Sequence, residues 1–525
     1  MRNCQNPKNA KILTTDGRFT AFLKFTVAKM EEEEKLVHRI DPDDAGLEEN
    51  PQYPFFFTPQ SYAMIFHSLG KLNLPMNDDI LAIATFVENR SNYIVKNGIP
   101  QDIAMCSLSF ARLNIPAPRF FAVVGRRGDL MVRDGDSQHC ANVCWSFAKL
   151  NNTTSSPLFF KAVANGGILV KDGNPLTVAN TTWAFSELNF DVRGLEESKG
   201  SYFAALEEKG QWLVDEGNSQ TVANTARALA KLQIAAPIFF AAVEQSNLQL
   251  VQHANAQAVS NTAWALGTNH ASFALDQDKK EGTPKYIRPV IPYIAAVNDD
   301  AQRLVQTGNT QAIANTAWAI AKLGVLAPQY FRWVSLKYAS IVSGGSHQEV
   351  SSIVHSFAKV DFQANDLFEA VEGRTEWLFE QGTTSNIANV AWAFATSGYR
   401  GNGNFFGTID SEGDKLVENG QVRELAAIAW ALAKRRVRAP SFFEALDRNA
   451  TRLVPTAKNH ELANLCWALS MFDIQSFNFF EAVDERAEWL VEEGDEEVVR
   501  MIKSAFWKVG ISAPKLKEAC EKNGW

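Results

Sequence analysis

A segment of about 37 residues repeats along this chain, and this repeat constrains the fold more than any other feature of the sequence. Its clearest copy is QAIANTAWAIAKLGVLAPQYF, from Gln311 to Phe331. Sequence periods of roughly 20 to 50 residues are typical of solenoids and propellers, in which each unit packs against its neighbours. Alignment on Trp318 gives twelve anchor positions, which are His67, Leu108, Trp145, Trp183, Arg227, Trp264, Trp318, His355, Trp392, Trp430, Trp467 and Ser504.

The residues around each anchor position have the pattern of an amphipathic helix. At about 100° per residue, two sets of side chains separate onto opposite sides of the helix that contains Trp318. The apolar side carries Ile313, Thr316, Ile320 and Leu323. The polar side carries Gln311, Asn315, Trp318 and Lys322. The flanks are the small residues Ala314, Ala317, Ala319 and Ala321, which would let neighbouring helices approach closely.

The other half of each repeat begins near a proline and a Phe-Phe pair, as at Pro118, Phe120 and Phe121. Proline is tolerated in the first turn of a helix because its missing N–H would have no partner there. This half ends in a glycine, such as Gly173 or Gly420, that we expect to adopt a left-handed conformation. The two halves form a helical hairpin. We therefore predict an all-α fold, an α-solenoid or superhelix of about twelve hairpin repeats of about 37 to 38 residues.

The repeats predict one long domain over residues 51–525, with insertions near 189–200 and 268–284. Residues 1–50 differ in composition. They are basic up to Lys29 and acidic from Glu31, which indicates a leader or linker. The basic, acid-poor start is shared by organellar transit peptides and by plain basic tails, and both interpretations stay open.

Several classes of function are disfavoured by composition and motif content. No apolar run approaches the roughly 18 to 20 residues that cross a bilayer, so we expect no membrane span. The six cysteines are too few for a disulfide scaffold, and Cys140 and Cys144 lack a second pair of metal ligands, so we predict no metal site. No phosphate-binding loop, catalytic constellation or small-molecule site is evident. We therefore predict a protein that is not an enzyme and needs no cofactor.

Three kinds of side chain recur at fixed offsets from the anchor. The anchor itself is tryptophan in seven copies. Three residues earlier stand Asn142, Asn180, Asn224, Asn261, Asn315, Asn389 and Asn464. Four residues later stand Lys71, Arg112, Lys149, Lys231, Lys322, Lys359, Lys434 and Lys508.

Each of these rows has a structural and a functional interpretation. Stacked at about 8 to 10 Å, the cations would form a rail for phosphates, but a cation in a helix's last turn also complements the helix dipole. The tryptophans would pack between repeats or stack on bases. The asparagines would bridge adjacent hairpins or contact the backbone or bases of a ligand.

The most variable position lies six residues before the anchor, where a code of one base per repeat would need variation. Surface drift would produce the same variation. This position holds Ser61, Asp102, His139, Thr177, Thr221, Ala258, Ala312, Glu349, Asn386, Glu424, Glu461 and Val498.

Four strings resemble octotricopeptide repeats, whose units of about 38 residues carry a helix with Asn, Trp-Ala and a closing Leu-Gly at these offsets. The resemblance extends over nearly the whole chain from residue 55. The strings are CANVCWSFAKL from Cys140, VANTTWAFSEL from Val178, VSNTAWALG from Val259 and IANTAWAIAKLG from Ile313.

This resemblance implies an α-solenoid that binds single-stranded RNA in a chloroplast or mitochondrion and acts in transcript stabilisation, processing or translation. The chain also departs from the pattern. Arg227, His355 and Ser504 replace the anchor tryptophan, and Met64 and Met105 replace asparagine, which suggests capping repeats at the ends. Many members end in a RAP domain that resembles a nuclease, and here only Ile511 to Trp525 follow the last copy, so we expect such a domain to be absent or to have been lost.

Two functions of different class therefore remain. The first is sequence-selective binding of single-stranded RNA, with the cation row on phosphates. The second is an armadillo-like scaffold that holds an extended peptide or another protein partner along the Asn and Trp rows. The net charge of −8 favours the second, because it would attract a basic peptide.

Overall fold

The computed structural model describes residues 16–40, 57–72, 74–193, 198, 200–277 and 291–524, and these residues form 36 α-helices without a β-strand. The prediction of an all-α fold is confirmed. The first helix, α1, is Gly17–Ile40. None of the helices in these ranges is long and apolar enough to span a bilayer.

Every third helix after α1 contains an anchor position, and we call these twelve the anchor helices. They are α2 (Pro59–Leu72), α5 (Pro100–Leu113), α8 (Ser137–Lys149), α11 (Pro175–Glu187), α14 (Ser219–Lys231), α17 (Ala256–Gln277), α20 (Thr310–Leu323), α23 (His347–Lys359), α26 (Thr384–Thr396), α29 (Val422–Arg435), α32 (Asn459–Met471) and α35 (Glu496–Val509).

Between successive anchor helices lie two shorter helices, and a single helix follows the last anchor helix. The pairs are α3 (Asp78–Asn89) and α4 (Ser91–Asn97), α6 (Pro118–Gly125) and α7 (Gly128–Asp134), α9 (Ser156–Ala164) and α10 (Ile168–Lys171), α12 (Tyr202–Glu208) and α13 (Gly210–Asp215), α15 (Pro237–Gln245) and α16 (Asn247–Gln252), α18 (Pro292–Asp299) and α19 (Ala301–Thr307), α21 (Pro328–Leu336) and α22 (Tyr338–Gly344), α24 (Asn365–Glu372) and α25 (Thr375–Gln381), α27 (Asn404–Ser411) and α28 (Gly413–Asn419), α30 (Pro440–Arg448) and α31 (Ala450–Leu453), and α33 (Phe477–Glu485) and α34 (Ala487–Glu493). The final helix, α36, is Pro514–Lys522.

The chain divides into two compact units, Met1–Ala254 and Asn255–Trp525. The first contains the anchor helices from α2 to α14, and the second contains those from α17 to α35. Within each unit every anchor helix packs on the next anchor helix, and the short helices pack on the short helices of the next repeat. Each unit is therefore a stack of helical hairpin repeats, which confirms the predicted solenoid class.

Small residues at two positions let neighbouring anchor helices approach closely. One residue after the anchor, Ala319 is fully buried, and three residues after it, Ala321 is 3% exposed. The preceding repeat supplies Gly267, where an added Cβ would lie 3.2 Å from the Cα of Ala319. In the first unit, a Cβ on Gly70 would lie 3.0 Å from the Cα of Ser109. A larger side chain at these positions would push the helices apart.

The first half of each repeat consists of two short helices, whereas the sequence pattern predicted a single helix. The turn between them brings a small residue against the next repeat. At Gly413, the first residue of α28, a Cβ would lie 2.7 Å from the backbone N of Phe442. At Gly210 the corresponding distance to the N of Phe239 is 2.6 Å. The Phe-Phe pairs of the described residues are buried in the core.

The glycine that ends the first half does not adopt the left-handed conformation we expected. Gly420 has φ −83° and ψ 148°, which is extended backbone, and Gly173 is likewise not among the residues with positive φ. The reason for glycine is steric. A Cβ would lie 2.7 Å from the carbonyl oxygen of Leu416 at Gly420, and 2.4 Å from that of Leu169 at Gly173. The left-handed conformation occurs instead after the anchor helix, at Gly324, with φ 67°.

A side chain from the preceding repeat caps the N-terminus of several short helices. Helix α30 starts at Pro440 without a capping side chain of its own, and Asp410 Oδ1 accepts from the backbone N–H of Ser441 at 2.8 Å. Asp447 accepts in the same way from Phe479, at 2.9 Å. A carboxylate at a helix N-terminus satisfies an orphan donor and complements the helix dipole. Each repeat thus helps to fix the position of the next one.

Basic side chains connect each of these repeats to the preceding one. Lys337 Nζ, in the turn before α22, donates to the carbonyl oxygens of Val305 at 2.7 Å and Gly308 at 3.0 Å, at the end of the preceding α19. Arg486 reaches the carbonyl oxygen of Ala457 at 2.9 Å. These contacts satisfy carbonyl groups that a helix C-terminus leaves free. Acidic side chains therefore reach forward between repeats, and basic side chains reach back.

The predicted leader contains an ordered segment. Helix α1 packs on α3, with Leu23 and Met30 buried. Glu33 is also buried and accepts from the hydroxyl of Tyr62 at 2.7 Å. Residues 1–15 and 41–56, including Arg2, Lys8 and Lys11 of the basic start, lie outside the described residues. Of the second predicted insertion, residues 268–277 continue α17, and the rest also lies outside the described residues.

We predict that Asp410→Ala lowers the free energy of unfolding by about 1 kcal/mol, because it removes the only side-chain cap that the described residues give to α30. Amide hydrogen exchange should accelerate at Ser441 and Phe442, and the denaturant midpoint should fall. Asp410→Asn retains an acceptor oxygen and should lose less, since Asn298 caps α21 in the same way. Glu418→Ala, at an exposed carboxylate of α28, is the matched control. Equal loss in Asp410→Ala and Glu418→Ala would contradict the cap.

Candidate nucleic-acid interface

Four positions on each anchor helix form one side of the stack in each unit. Counted from the anchor, they are seven residues before, three before, the anchor itself and four after, and we call this surface the amide-cation face. On α20, Gln311 and Lys322 are exposed, while Asn315 and Trp318 are half-buried. Eleven residues separate the first and last positions, so the face is about 16 Å wide at about 1.5 Å per residue.

The face is basic although the chain is acidic. Its 48 positions contain ten lysines or arginines and only two carboxylates, Glu187 and Glu497, whereas the whole chain has a net charge of −8. The acidic side chains therefore lie mainly elsewhere, including the caps between short helices. This segregation concentrates positive potential on one surface.

The structure places all eight cations of the predicted row on this face, and all eight are exposed. Neighbours in the row influence one another. Partial burial, followed by the positive charge of Lys322, lowers the pKa of Lys359. The repulsion from Lys322 is the smaller of the two causes, and it shows that these two ammonium groups lie near each other. A bound polyanion would relieve it.

The row has gaps and one internal ion pair. The cation position is occupied by Glu187 on α11, and its carboxylate lies 3.3 Å from the ammonium of Lys231 on the next anchor helix. Both side chains are exposed, so the pair contributes little to stability, but it neutralises one charge of the row. Thr268, Thr396 and Met471 occupy the same position on three other helices.

Three of the four asparagines that have a glutamine four residues before them are held by it, whereas among the described residues no such bond joins Gln311 to Asn315. The side-chain nitrogen of Gln138 donates to Asn142 Oδ1 at 3.0 Å, and Gln220 donates to Asn224 at 2.9 Å. Gln257 and Asn261 form the same pair at 3.1 Å. The expected bridge between adjacent hairpins is therefore replaced, at Asn142 and Asn224, by a bond along one helix. The remaining asparagines, Asn180, Asn315, Asn389 and Asn464, are half-buried on the same face.

The anchor rings are half-buried and pack against one another. The rings of Trp264 and Trp318 are stacked with centroids 6.3 Å apart and planes 27° apart. His355, which replaces tryptophan, packs on Trp392 with centroids 4.6 Å apart. The anchor row thus contributes to packing between repeats, and part of each ring still lines the open face.

The variable position, six residues before the anchor, takes part in capping its own helix in several repeats. It is the third residue of the anchor helix, where a side chain can complete a capping box. Glu349 accepts from the backbone N–H of Ser346 at 2.8 Å, and Glu424 from that of Gln421 at 3.0 Å. Asp102 and Glu461 act similarly and are buried. Capping does not account for Ala258, Ala312 and Val498, whose side chains have no acceptor.

Two basic residues of the face were missed by the search for a cation row. Arg227 occupies an anchor position and is half-buried, and Arg423 stands seven residues before Trp430 and is exposed. Both could have been found by tabulating all four face positions instead of the last one alone. Beside Lys434, Arg436 and Arg438 extend the positive surface into the loop after α29.

The cysteines belong to the core. Cys140 and Cys144 are fully buried, and Cys140 Sγ donates to the carbonyl oxygen of Met131 at 3.3 Å. Burial raises the pKa of the Cys140 thiol to about 12, so the thiol stays protonated. In the part of the chain that the structure describes, no group of three His, Cys, Asp or Glu side chains is placed to hold a metal ion.

The histidine at anchor position 355 gives the stack a pH dependence. Burial, and then the charge of Lys359, lower the pKa of His355 from 6.5 to about 4. Between these values the unfolded chain binds a proton that the folded protein does not, so stability is complete above about pH 6.5 and falls towards about pH 4. His67 behaves in the same way because burial, Lys71 and Arg112 lower its pKa to about 4.

We predict that His355→Trp, which restores the commonest anchor residue, reduces the loss of unfolding free energy between about pH 6.5 and about pH 4. The measurement is denaturant unfolding of wild type and variant across this range. Replacement of the exposed His460 by glutamine serves as the control and should leave the wild-type profile unchanged. Parallel profiles for wild type and His355→Trp would contradict this assignment.

Comparison with known proteins adds little to this description. No family model matches the chain, and no curated protein matches it. Among solved structures, the chain is similar to one described as a homology model of the full-length AP-3 complex in an intermediate open conformation, at 10% sequence identity and a TM-score of 0.37. The match covers 86% of this chain and 83% of that chain.

Proposed function

We propose that the amide-cation face binds single-stranded RNA. The observation that carries the proposal is the segregation of charge. Ten cations and two carboxylates occupy the face of a chain whose overall charge is −8, and the eight cations of the row are all exposed. A helix dipole accounts for a cation at one helix end but not for the scarcity of acids at the other three positions.

The lysines and arginines would bind phosphates, mainly through the release of counterions from the strand. Their side chains are flexible and exposed, so they can follow a backbone that is not rigid. The half-buried rings of Trp145, Trp183 and Trp318 offer edges and partial faces to unpaired bases. Between rings and cations, the amides provide donors and acceptors for base edges or 2′-hydroxyls.

An unpaired strand fits this surface better than a duplex. The aromatic rings and amides lie in the same face as the cations, so a bound strand would present both its phosphates and its bases to the protein. In a duplex the bases are stacked and paired, and an A-form major groove is too narrow for side chains to read. The resemblance to octotricopeptide repeats points to the same ligand. It is also our reason to propose a role in organellar transcript stabilisation, processing or translation.

The charge of the face argues against the peptide scaffold considered from the sequence. A basic peptide would be attracted by the whole chain but repelled by the cation row on the face that carries the Asn and Trp rows. A scaffold with this basic face would suit an acidic peptide as its ligand. It differs from RNA in having no bases to place against Trp318 or the amides.

We predict that replacing Lys149, Lys322, Lys359 and Lys434 with glutamine weakens RNA binding and flattens its salt dependence. Four lost phosphate contacts should reduce the slope of log K against log salt by about three units for a single strand. The measurement is a salt titration of binding to oligoribonucleotides.

The matched control replaces four exposed lysines on helices other than the anchor helices, which are Lys24, Lys161, Lys171 and Lys517. It changes the net charge equally and should leave the slope within about one unit of wild type. Equal effects of the two sets would mean that only total charge matters, and would remove the face from the proposal.

A second prediction concerns the gap in the row. Glu187→Lys removes the acid that pairs with Lys231 and adds a cation at the same position. RNA affinity should rise, and the salt slope should steepen by about one unit. Glu216→Lys changes the charge equally at an exposed site outside the anchor helices, and it should have a smaller effect. No difference between the two variants would contradict a row that includes α11.

A further inference from the structure

The eighth repeat departs from the pattern of the face at two positions at once. On its anchor helix α23, serine stands at position 352 where asparagine is common, and His355 replaces tryptophan. Both replacements reduce the volume of the side chain. The neighbouring helices keep the larger residues, with Asn315 and Trp318 on α20 and Asn389 on α26. The amide-cation face is therefore recessed at the eighth repeat.

A cavity of about 470 Å³ lies at this place, and we call it the repeat-8 pocket. Ser352 lines it together with Trp318 and Asn315 from α20 and Asn389 from α26. The volume is within the range of about 300 to 1,000 Å³ that is usual for sites of small organic ligands. The pocket opens on the amide-cation face, where the proposed RNA would lie.

Two amide groups beside the pocket have lost the partners that their equivalents use. In three other repeats a glutamine donates to the asparagine four residues later, as Gln138 does to Asn142. Gln348 has Ser352 at that place, and Asn389 has Ser385 where its glutamine would stand. Neither amide forms a hydrogen bond with another side chain or backbone group of the described residues. Both line the pocket.

The rim of the pocket is rigid where the amides are free. The side chain of Asn386 is buried and accepts from the backbone N–H of Thr383 at 3.0 Å, and its nitrogen donates to Ser351 Oγ at 3.1 Å. Its oxygen also lies 3.1 Å from Nδ1 of His347, another residue of the rim. These bonds hold the shape of the pocket without using Gln348 or Asn389.

The lining indicates the kind of ligand. It contains no lysine, arginine, aspartate or glutamate, so the pocket suits a neutral group rather than a phosphate or an ion. The ring of Trp318 offers an aromatic surface, and the two free amides each offer donors and an acceptor. A planar ring with hydrogen-bonding edges satisfies both features. Amide side chains pair well with base edges, and aromatic rings stack on unpaired bases.

We propose that the repeat-8 pocket takes one unpaired nucleobase of the bound RNA, with Gln348 and Asn389 on its edge and Trp318 beside its ring. This inference rests on the proposed RNA binding and adds a position at which the sequence of the strand is read. Recognition of the base depends on the amides of Gln348 and Asn389, which have serine where an amide partner would stand.

The test compares wild type with Ser352→Asn, which gives Gln348 the partner that other repeats have and reduces the pocket. Binding to oligo(rA), oligo(rC) and oligo(rU) is measured at one salt concentration. Wild type should prefer one homopolymer by about tenfold, and the variant should lose that preference. The salt slope should stay unchanged, because no cation is altered. Ser340→Asn, at an exposed serine of α22, is the matched control and should retain the preference.

Gln348→Ala is a second variant, which removes an amide without filling the pocket. With it, the test does not depend on correct folding of Ser352→Asn. It should lose the same preference and retain the wild-type melting temperature. Wild-type preference in both variants, with normal salt dependence, would overturn the pocket and leave the RNA-binding face in place. Absence of binding to all three homopolymers by wild type would overturn both proposals.

Discussion

The close approach of neighbouring anchor helices is the constraint on which the rest of the structure depends. It requires small residues one and three positions after the anchor, and glycine marks the tightest places, such as Gly70 and Gly267. The position three residues after the anchor faces the next repeat, and the position one residue after it faces the preceding repeat, so the residues on the adjacent sides of the helix are sorted as well. The apolar side enters the core, and the amides, rings and cations are left together on one face. The candidate interface is thus a geometric result of how the repeats pack.

The polar contacts between short helices have a complementary role. Asp410 and Asp447 cap the next repeat, and Lys337 and Arg486 reach back to the preceding one. These contacts use charged groups in pairs with helix ends rather than with each other. They also place many of the chain's carboxylates away from the anchor helices, so an acidic protein can present a basic face. These polar contacts and the proposed RNA contacts therefore lie on different helices of the same repeat.

Much of this could be predicted from the sequence, because the strongest signals are local. The periodicity identified every anchor helix, and the 3.6-residue pattern placed Ile313 and Ile320 in the core and Lys322 on the surface. The missed features are contacts that the pattern of residue types does not show. The turn before Gly413 is explained only by Phe442 of the next repeat, and the extended conformation of Gly420 only by the oxygen of Leu416. The repeat-8 pocket likewise needs three adjacent helices to exist.

The central claim, that RNA lies along the amide-cation face, is tested most directly by ultraviolet crosslinking of the intact protein to single-stranded RNA, followed by mass spectrometry of the adducts. The account predicts that crosslinked residues fall on the anchor helices, at the anchor and the positions three before, seven before and four after it, in several repeats. Adducts at Trp318 and its equivalents would be the clearest support, since aromatic rings beside bases crosslink readily. Crosslinks confined to the short helices, or none above those of a control protein of similar charge, would contradict it.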